Sequence, residues 1–264
     1  MSALVSLYRY LPSRLQTVTR ELYDRYQRRQ FPDEDRRLFL DTFFEAGEYD
    51  RYVEEFESGP ALDIRQRAQE EFDAETPSGV SFGDVRQPVG RDLYALTRTL
   101  RPDVVVETGV CNGFSTLCLL TALQVNERGH LYSVDYPYRA DESLDQFREE
   151  TFHQYGGAAI PADREPGWLI PSPLRDRWSL TLGRSQRELP GLLEDLGDVD
   201  VFLHDSEHSV PCMHFEFELA WEFLADSGVL LADDVSWNDA FETFTALRAG
   251  QSGYIAPNVG YALR

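Results

Sequence analysis

The sequence predicts an α/β protein: a mostly parallel sheet with helices on both faces, preceded by a helical segment. Three observations carry that prediction. From Val104 onward, short β-branched runs alternate with helix-length segments, the pattern of strand–crossover–strand units. Successive strands end near a polar or acidic residue, at Glu107, Asp135, Gly183-Arg184-Ser185, Asp205 and Asp233-Asp234. In an open α/β sheet those positions share the rim where ligands bind. Finally, Val104-Val105-Val106 runs through Glu107-Thr108-Gly109-Val110-Cys111-Asn112-Gly113 into an apolar helix, which reads as strand, tight loop, helix.

A chain of 264 residues is long enough for one main domain with an added segment. The division falls at residue 86: a helical cap or oligomerisation segment over 1–86, and the α/β domain over 87–264, interrupted by an inserted loop at 136–177. From Ser6 to about Glu75 the sequence is charged and helix-prone, punctuated by Pro12, Pro32 and Gly59-Pro60 into three helices. Its aromatics recur three or four residues apart, as at Tyr23 and Tyr26, Phe39 and Phe43, and Tyr49, Tyr52 and Phe56. Such a stripe is core or a contact in a homo-oligomer rather than a cofactor site.

Gln87-Pro88-Val89-Gly90 leads into a helix over Arg91–Leu100, and the first strand is Val104–Glu107, followed by a helix over Gly113–Leu123. The second strand is His130–Asp135. Tyr136–Arg177 is longer than an ordinary connection; Asp141–Gln154 has room for a helix, and Gly167-Trp168-Leu169-Ile170 reads as a lid or a surface excursion. Then come a strand at Trp178–Leu182, a helix at Ser185–Leu196, a strand at Val201–His204, a helix at Val210–Leu224 and a strand at Gly228–Ala232. A helix over Ala240–Ala249 and short strands at Tyr254–Ala256 and Tyr261–Leu263 close the chain.

The formal net charge is -21, and all 25 basic residues are arginine. An acidic, lysine-free chain fits a halophilic protein whose self-repulsion is screened by salt, and it fits nucleic acid poorly as a partner. No apolar run approaches membrane length, no signal peptide is visible, and three cysteines without a C-x-x-C pattern suggest neither a disulfide framework nor a zinc site. A cytoplasmic, membrane-free protein is the default expectation.

Chemistry separates the rim residues. Asp135 sits where a carboxylate accepts hydrogen bonds from both hydroxyls of an adenosine ribose. Glu107, with the Gly109 and Gly113 backbone, faces the other end of the ligand; its charge and the E-x-G-x-x-x-G spacing favour a cationic amino acid over a pyrophosphate. Asp205, Asp233 and Asp234 are oxygen ligands for a hard cation such as Mg2+, or an exposed acidic turn. In His204-Asp205-Ser206-Glu207-His208-Ser209, strand alternation turns His204 away from Asp205 and makes it structural. His208 is the best candidate for a general base in this lysine-free segment, set against a capping or packing role.

Together these motifs resemble the class I S-adenosylmethionine-dependent methyltransferases, in particular the metal-dependent small-molecule O-methyltransferases of the catechol, caffeoyl-CoA and macrocin types. The resemblance covers about Gln87 to Arg264. It implies a Rossmann-like, seven-stranded sheet with its last strand antiparallel. It implies that Glu107–Ser115, including Gly109, Gly113 and Ser115, holds the methionine part of the cofactor. Asp135 is then the ribose ligand and Ser185 an adenine contact, since Arg184 stands where the family often has an acid. Phe202–Ser209 looks like the strand-four motif, with Asp205 as metal ligand and a nearby histidine as base; Leu231–Val235 looks like the strand-five motif, and its Asp233-Asp234 is closer to the macrocin type. The implied activity is methyl transfer to a hydroxyl of a small molecule, with Asp205 or His208 taking the proton. Three alternatives stay open: a metal-independent methyltransferase, a metal-dependent hydrolase on Asp205, His208, Asp233 and Asp234, and a non-catalytic cofactor-binding module.

Overall fold

The computed structural model describes residues 31–76, 80–85, 87–143, 147 and 158–264. Its centre is β1 (Val104–Thr108), whose β-branched run suits a strand buried on both faces: Val105 and Val106 have no exposed surface. On one side β1 pairs in parallel with β2 (His130–Asp135), which pairs with β3 (Trp178–Leu182). On the other it pairs in parallel with β4 (Val199–His204), which pairs with β5 (Leu224–Ala232). A hairpin of β6 (Gln251–Ala256) and β7 (Val259–Leu263) completes the sheet, giving the order β3-β2-β1-β4-β5-β7-β6. β7 runs antiparallel to both its neighbours. The strand order reverses direction between β1 and β4, so the crevice of an open sheet opens there, above Gly109 and Asp205.

The expected sheet is present, with longer ends. β5 begins at Leu224 rather than Gly228, because Leu224 pairs with Val199 across a register break before Val201 meets Val229. The helix before it therefore stops at Phe223. The helix ahead of β1 starts at Gln87, with Pro88 tolerated in its first turn, where no intrahelical N–H bond is due.

Helices take their places by which face they bury. In chain order they are α1 (Asp33–Phe43), α2 (Glu48–Ser58), α3 (Ala61–Glu75), α4 (Gln87–Leu100) and α5 (Phe114–Asn126), then α6 (Ser185–Leu196), α7 (Val210–Phe223) and α8 (Ala240–Arg248). Phe39, Tyr52, Phe56 and Phe72 of the first three helices join one hydrophobic core with Val105, Leu117, Leu203 and Tyr261. Phe43 meets Tyr261 edge-on at 5.2 Å, and Arg36 donates to the Ile255 carbonyl at 3.2 Å, so α1 is seated on the β6–β7 hairpin. Each such fully buried phenylalanine contributes roughly 1.5–3 kcal/mol. The opposite face of the sheet buries Val106 and Phe202 under Met213, Phe217, Phe241 and Phe244. The stretch expected to be helical before Phe31, and nearly all of the Asp141–Gln154 helix, lie outside the described residues.

The later part of the insertion is stitched down. Ala159 donates to the Ser81 carbonyl at 3.0 Å, Gly167 to that of Cys111 at 2.9 Å, and Trp168 Nε1 to Asn112 Oδ1 at 2.5 Å. Leu169 and Ile170 are buried in the core. Gly167–Ile170 is thus a wall fixed to the glycine loop, neither an overhanging lid nor an excursion into solvent. Among the described residues, no helix is long and apolar enough to cross a membrane.

Candidate active site

The glycine loop between β1 and α5 brings strand ends together. Gly109 has φ +86°, and a Cβ there would lie 2.0 Å from the Asp205 carbonyl oxygen. Only glycine lets the loop press on the end of β4. Gly113 has φ +103°, and a Cβ there would lie 2.7 Å from the Gly167 Cα. At both glycines the close approach is therefore between parts of the chain.

Glu107 is turned inward. It has no exposed surface, and its carboxylate accepts from Ser115 Oγ at 2.7 Å and from Thr116 Oγ1 and Ser133 Oγ at 2.8 Å. Burial pushes this carboxyl up to about 7, against the opposing pull of the three hydroxyls. Glu107 clamps β1, β2 and α5 beneath the loop instead of presenting its oxygens to the crevice, and the Ser115 side chain is committed to it.

Asp135, at the end of β2, is built differently. Its carboxylate receives the backbone N–H groups of Val110, Cys111 and Tyr136, yet burial still raises it to about 6. Its Oδ2 is buried and has no hydrogen-bond partner among the described residues. Such an atom is unfavourable unless a ligand supplies a donor. Beside it, the Arg184 guanidinium lies over the Tyr136 ring at 5.4 Å. Ser185, at the start of α6, points the other way: its Oγ lies 4.0 Å from Cys212 Sγ and hydrogen-bonds Glu216.

On the far side of the switch point, β4 and β5 present Asp205, Asp233 and Asp234. The Asp233 N–H donates to the His204 carbonyl at 2.9 Å, which sets the two strand ends level. Burial, and then the charges of Asp233 and Asp234, hold the Asp205 carboxyl well above the usual range, and it hydrogen-bonds Asp233. Asn258, from the turn between β6 and β7, donates its amide to Asp234 Oδ1 at 3.0 Å and to Asp233 Oδ1 at 3.4 Å. His208 Nε2 stands 3.7 Å from Asp234 Oδ2, with the Trp237 ring 5.4 Å away. Among the described residues, no group of three or more His, Cys, Asp or Glu is arranged to hold a metal ion.

His204 is structural, as strand alternation predicts. It is fully buried, with Nδ1 2.6 Å from Glu216 Oε2, and Glu216 also accepts from Thr108 Oγ1 at 2.5 Å and Ser206 Oγ at 2.8 Å. Burial raises the Glu216 carboxyl, but His204 and these donors outweigh it and hold the group below its usual range. The His204 ring meets that of His208 edge-on at 5.3 Å. Sequence reading missed Glu216 and Asn258. Glu216 leaves a trace, an acid on the buried helix face that carries Met213, Phe217 and Ala220; Asn258 reads as an ordinary turn residue.

Residues 106–235, spanning β1 to the end of β5 and nearly all of these groups, match the family model described as a methyltransferase domain. The chain is an S-adenosylmethionine-dependent methyltransferase. Among solved structures, the methyltransferase is similar in fold to the O-methyltransferase NovP, at TM-score 0.54 and 15% identity over 82% of this chain and 99% of that one. It is similar to a putative caffeoyl-CoA O-methyltransferase from Staphylococcus aureus, at TM-score 0.52 and 12% identity over 83% and 100%. It is also similar to cofactor-bound Rv0187 from MTB, at TM-score 0.50 and 18% identity over 78% and 90%. At these identities the likeness is one of fold. No curated protein matches the sequence.

Proposed function

We propose that this methyltransferase transfers the methyl group of S-adenosylmethionine to a hydroxyl of a small molecule. The observation that carries the reading is the pairing of two carboxyl sites across the switch point. Asp135 has a buried, unpartnered oxygen on the donor side, and Asp205 is a carboxyl held well above its usual range on the acceptor side. Asp135 takes the ribose hydroxyls, while the backbone of Gly109, Gly113 and Ser115 follows the methionine part. Tyr136 and the start of α6 at Ser185 border the adenine. The acceptor oxygen attacks the sulfonium methyl in line; the new O–C bond forms as the S–C bond breaks, and S-adenosylhomocysteine leaves with the electron pair. The acceptor's proton passes to Asp205 or His208. A carboxylate whose affinity for protons is raised by burial and by neighbouring acids is a stronger base than a free one, and alignment of the two substrates supplies much of the rate.

A divalent cation such as Mg2+ has a place in this reading. The donors fit a hard cation in chemistry, since Asp205, Asp233 and Asp234 are oxygen ligands whose crowding a positive charge relieves. When bound, the ion would lower the acceptor hydroxyl's pKa. A metal-free second reading draws on a specific observation: Asp205 and Asp233 already relieve their repulsion through a hydrogen bond. Release of S-adenosylhomocysteine, followed over a panel of hydroxylated acceptors with and without EDTA, separates the two. Turnover lost to EDTA and restored by Mg2+ supports the cation, whereas turnover indifferent to EDTA selects the metal-free enzyme. Absence of turnover over the whole panel, with or without Mg2+, counts against methyl transfer to a hydroxyl.

A further inference from the structure

A cavity of about 240 Å3 lies beside the acidic rim, among the helical segment, the first turn of α4 and the turn joining β6 to β7. Phe31, Tyr49, Val89, Ile255 and Pro257 give it apolar walls. Asn258 belongs to its lining and also donates to Asp233 and Asp234, so an occupant lies one side chain from the rim. A cavity of about 150 Å3 accommodates benzene; this one has room for a substituted single ring and is too small for a nucleotide.

Two arginines line the cavity, and their circumstances differ. Arg36 is fully engaged, with Asp92 at 2.7 Å, Tyr49 at 2.5 Å and the Ile255 carbonyl at 3.2 Å. Among the described residues, Arg91 hydrogen-bonds the half-exposed Glu57, at 2.8 Å through Nη1, a pairing that solvent screens. Its Nε is buried and has no hydrogen-bond partner among the described residues. A buried cationic donor without an acceptor is unfavourable, and a guanidinium fork matches a carboxylate. In a chain of net charge -21, an anionic ligand also needs such a local cation to be admitted.

We infer that this cavity holds the methyl acceptor, and that the acceptor is a hydroxylated single-ring molecule bearing a carboxylate that Arg91 takes. The inference rests on the proposed methyl transfer for what happens at the hydroxyl, and on the cavity alone for what is recognised. Calorimetry on the protein saturated with S-adenosylhomocysteine tests it, with 3,4-dihydroxybenzoate and 3,4-dihydroxybenzamide as probes of equal shape. The acid should bind at least tenfold more tightly than the amide. In Arg91→Gln that preference should fall below threefold. In Ala256→Trp, which fills the cavity from β6, both probes should lose binding. Affinity for S-adenosylhomocysteine should be the same in all three proteins. Equal binding of acid and amide to the wild type, a preference that survives Arg91→Gln, unaltered binding to Ala256→Trp, or failure of both probes to bind would each overturn the inference. None of those results touches S-adenosylhomocysteine binding, so a failure of the cavity and a failure of the methyltransferase reading are told apart in the same titration. If S-adenosylhomocysteine itself does not bind, the acid–amide comparison still judges the cavity.

Discussion

Replacing Glu107 by Gln should make the protein more stable above neutral pH and leave it almost unchanged near pH 5. In the folded protein this carboxyl titrates at about 7 rather than 4.5, because burial outweighs the hydroxyls of Ser115, Thr116 and Ser133. The sign follows from proton linkage. Between those two values the folded state keeps a proton that the unfolded state has released, so stability falls as pH rises. The contribution is fully present below 4.5 and is lost as pH climbs through 7. At about 1.4 kcal/mol per pH unit, the loss amounts to roughly 3 kcal/mol. Asp135, raised from 3.8 to about 6, adds a decline of the same sign at somewhat lower pH. Glutamine keeps the shape, and the three hydroxyls rotate to meet its amide. Urea unfolding of wild type and Glu107→Gln at pH 5 and pH 8, in one salt concentration, reads the effect. The variant should gain up to about 3 kcal/mol at pH 8, equivalent to roughly 6–12 °C in melting temperature. An equal loss of stability at both pH values would refute the reasoning, since Glu107 would then act through its charge in a site that solvates it.

Gly109→Ala should cost about 4 kcal/mol or more, read from the urea midpoint, because the new Cβ would meet the Asp205 carbonyl oxygen in a left-handed backbone. His208→Gln should lower kcat about a hundredfold or more while leaving S-adenosylhomocysteine affinity in place, if His208 is the base; an unchanged kcat would move the proton transfer to Asp205. The melting temperature should rise steadily from dilute buffer to molar KCl, as screening relieves a net charge of -21; a flat profile would remove the halophilic reading.

How far the sequence was legible depends on how local each signal was. The β-branched runs fixed the strands to within a few residues, and Trp178–Leu182 and Ser185–Leu196 match the observed β3 and α6 end for end. Strand ends were legible for the same reason: Asp135 is the last residue of its strand, and Asp205 and Asp233-Asp234 follow theirs directly. What alternation could not show is where a side chain finds its partners. Glu107 precedes a glycine loop just as a ligand-facing acid would, but Ser115 and Thr116 of α5 and Ser133 of β2 converge on it and turn it into a clamp. Ser185 is likewise drawn toward Glu216 by α7. Asn258 and Arg91 reach the site through tertiary packing of a hairpin turn and a helix start, for which no spacing in the sequence gives a signal.

The most direct test of the donor site is calorimetric titration of S-adenosylhomocysteine into wild type and Asp135→Asn. Wild type should bind one equivalent. The variant, which exchanges a charged acceptor for a neutral one at the ribose hydroxyls, should bind about 10- to 100-fold more weakly, as expected from a loss of roughly 1.5–3 kcal/mol. Equal affinity in the two proteins would show that the unpartnered Asp135 oxygen does not meet the cofactor, and absence of binding to wild type would contradict the crevice itself.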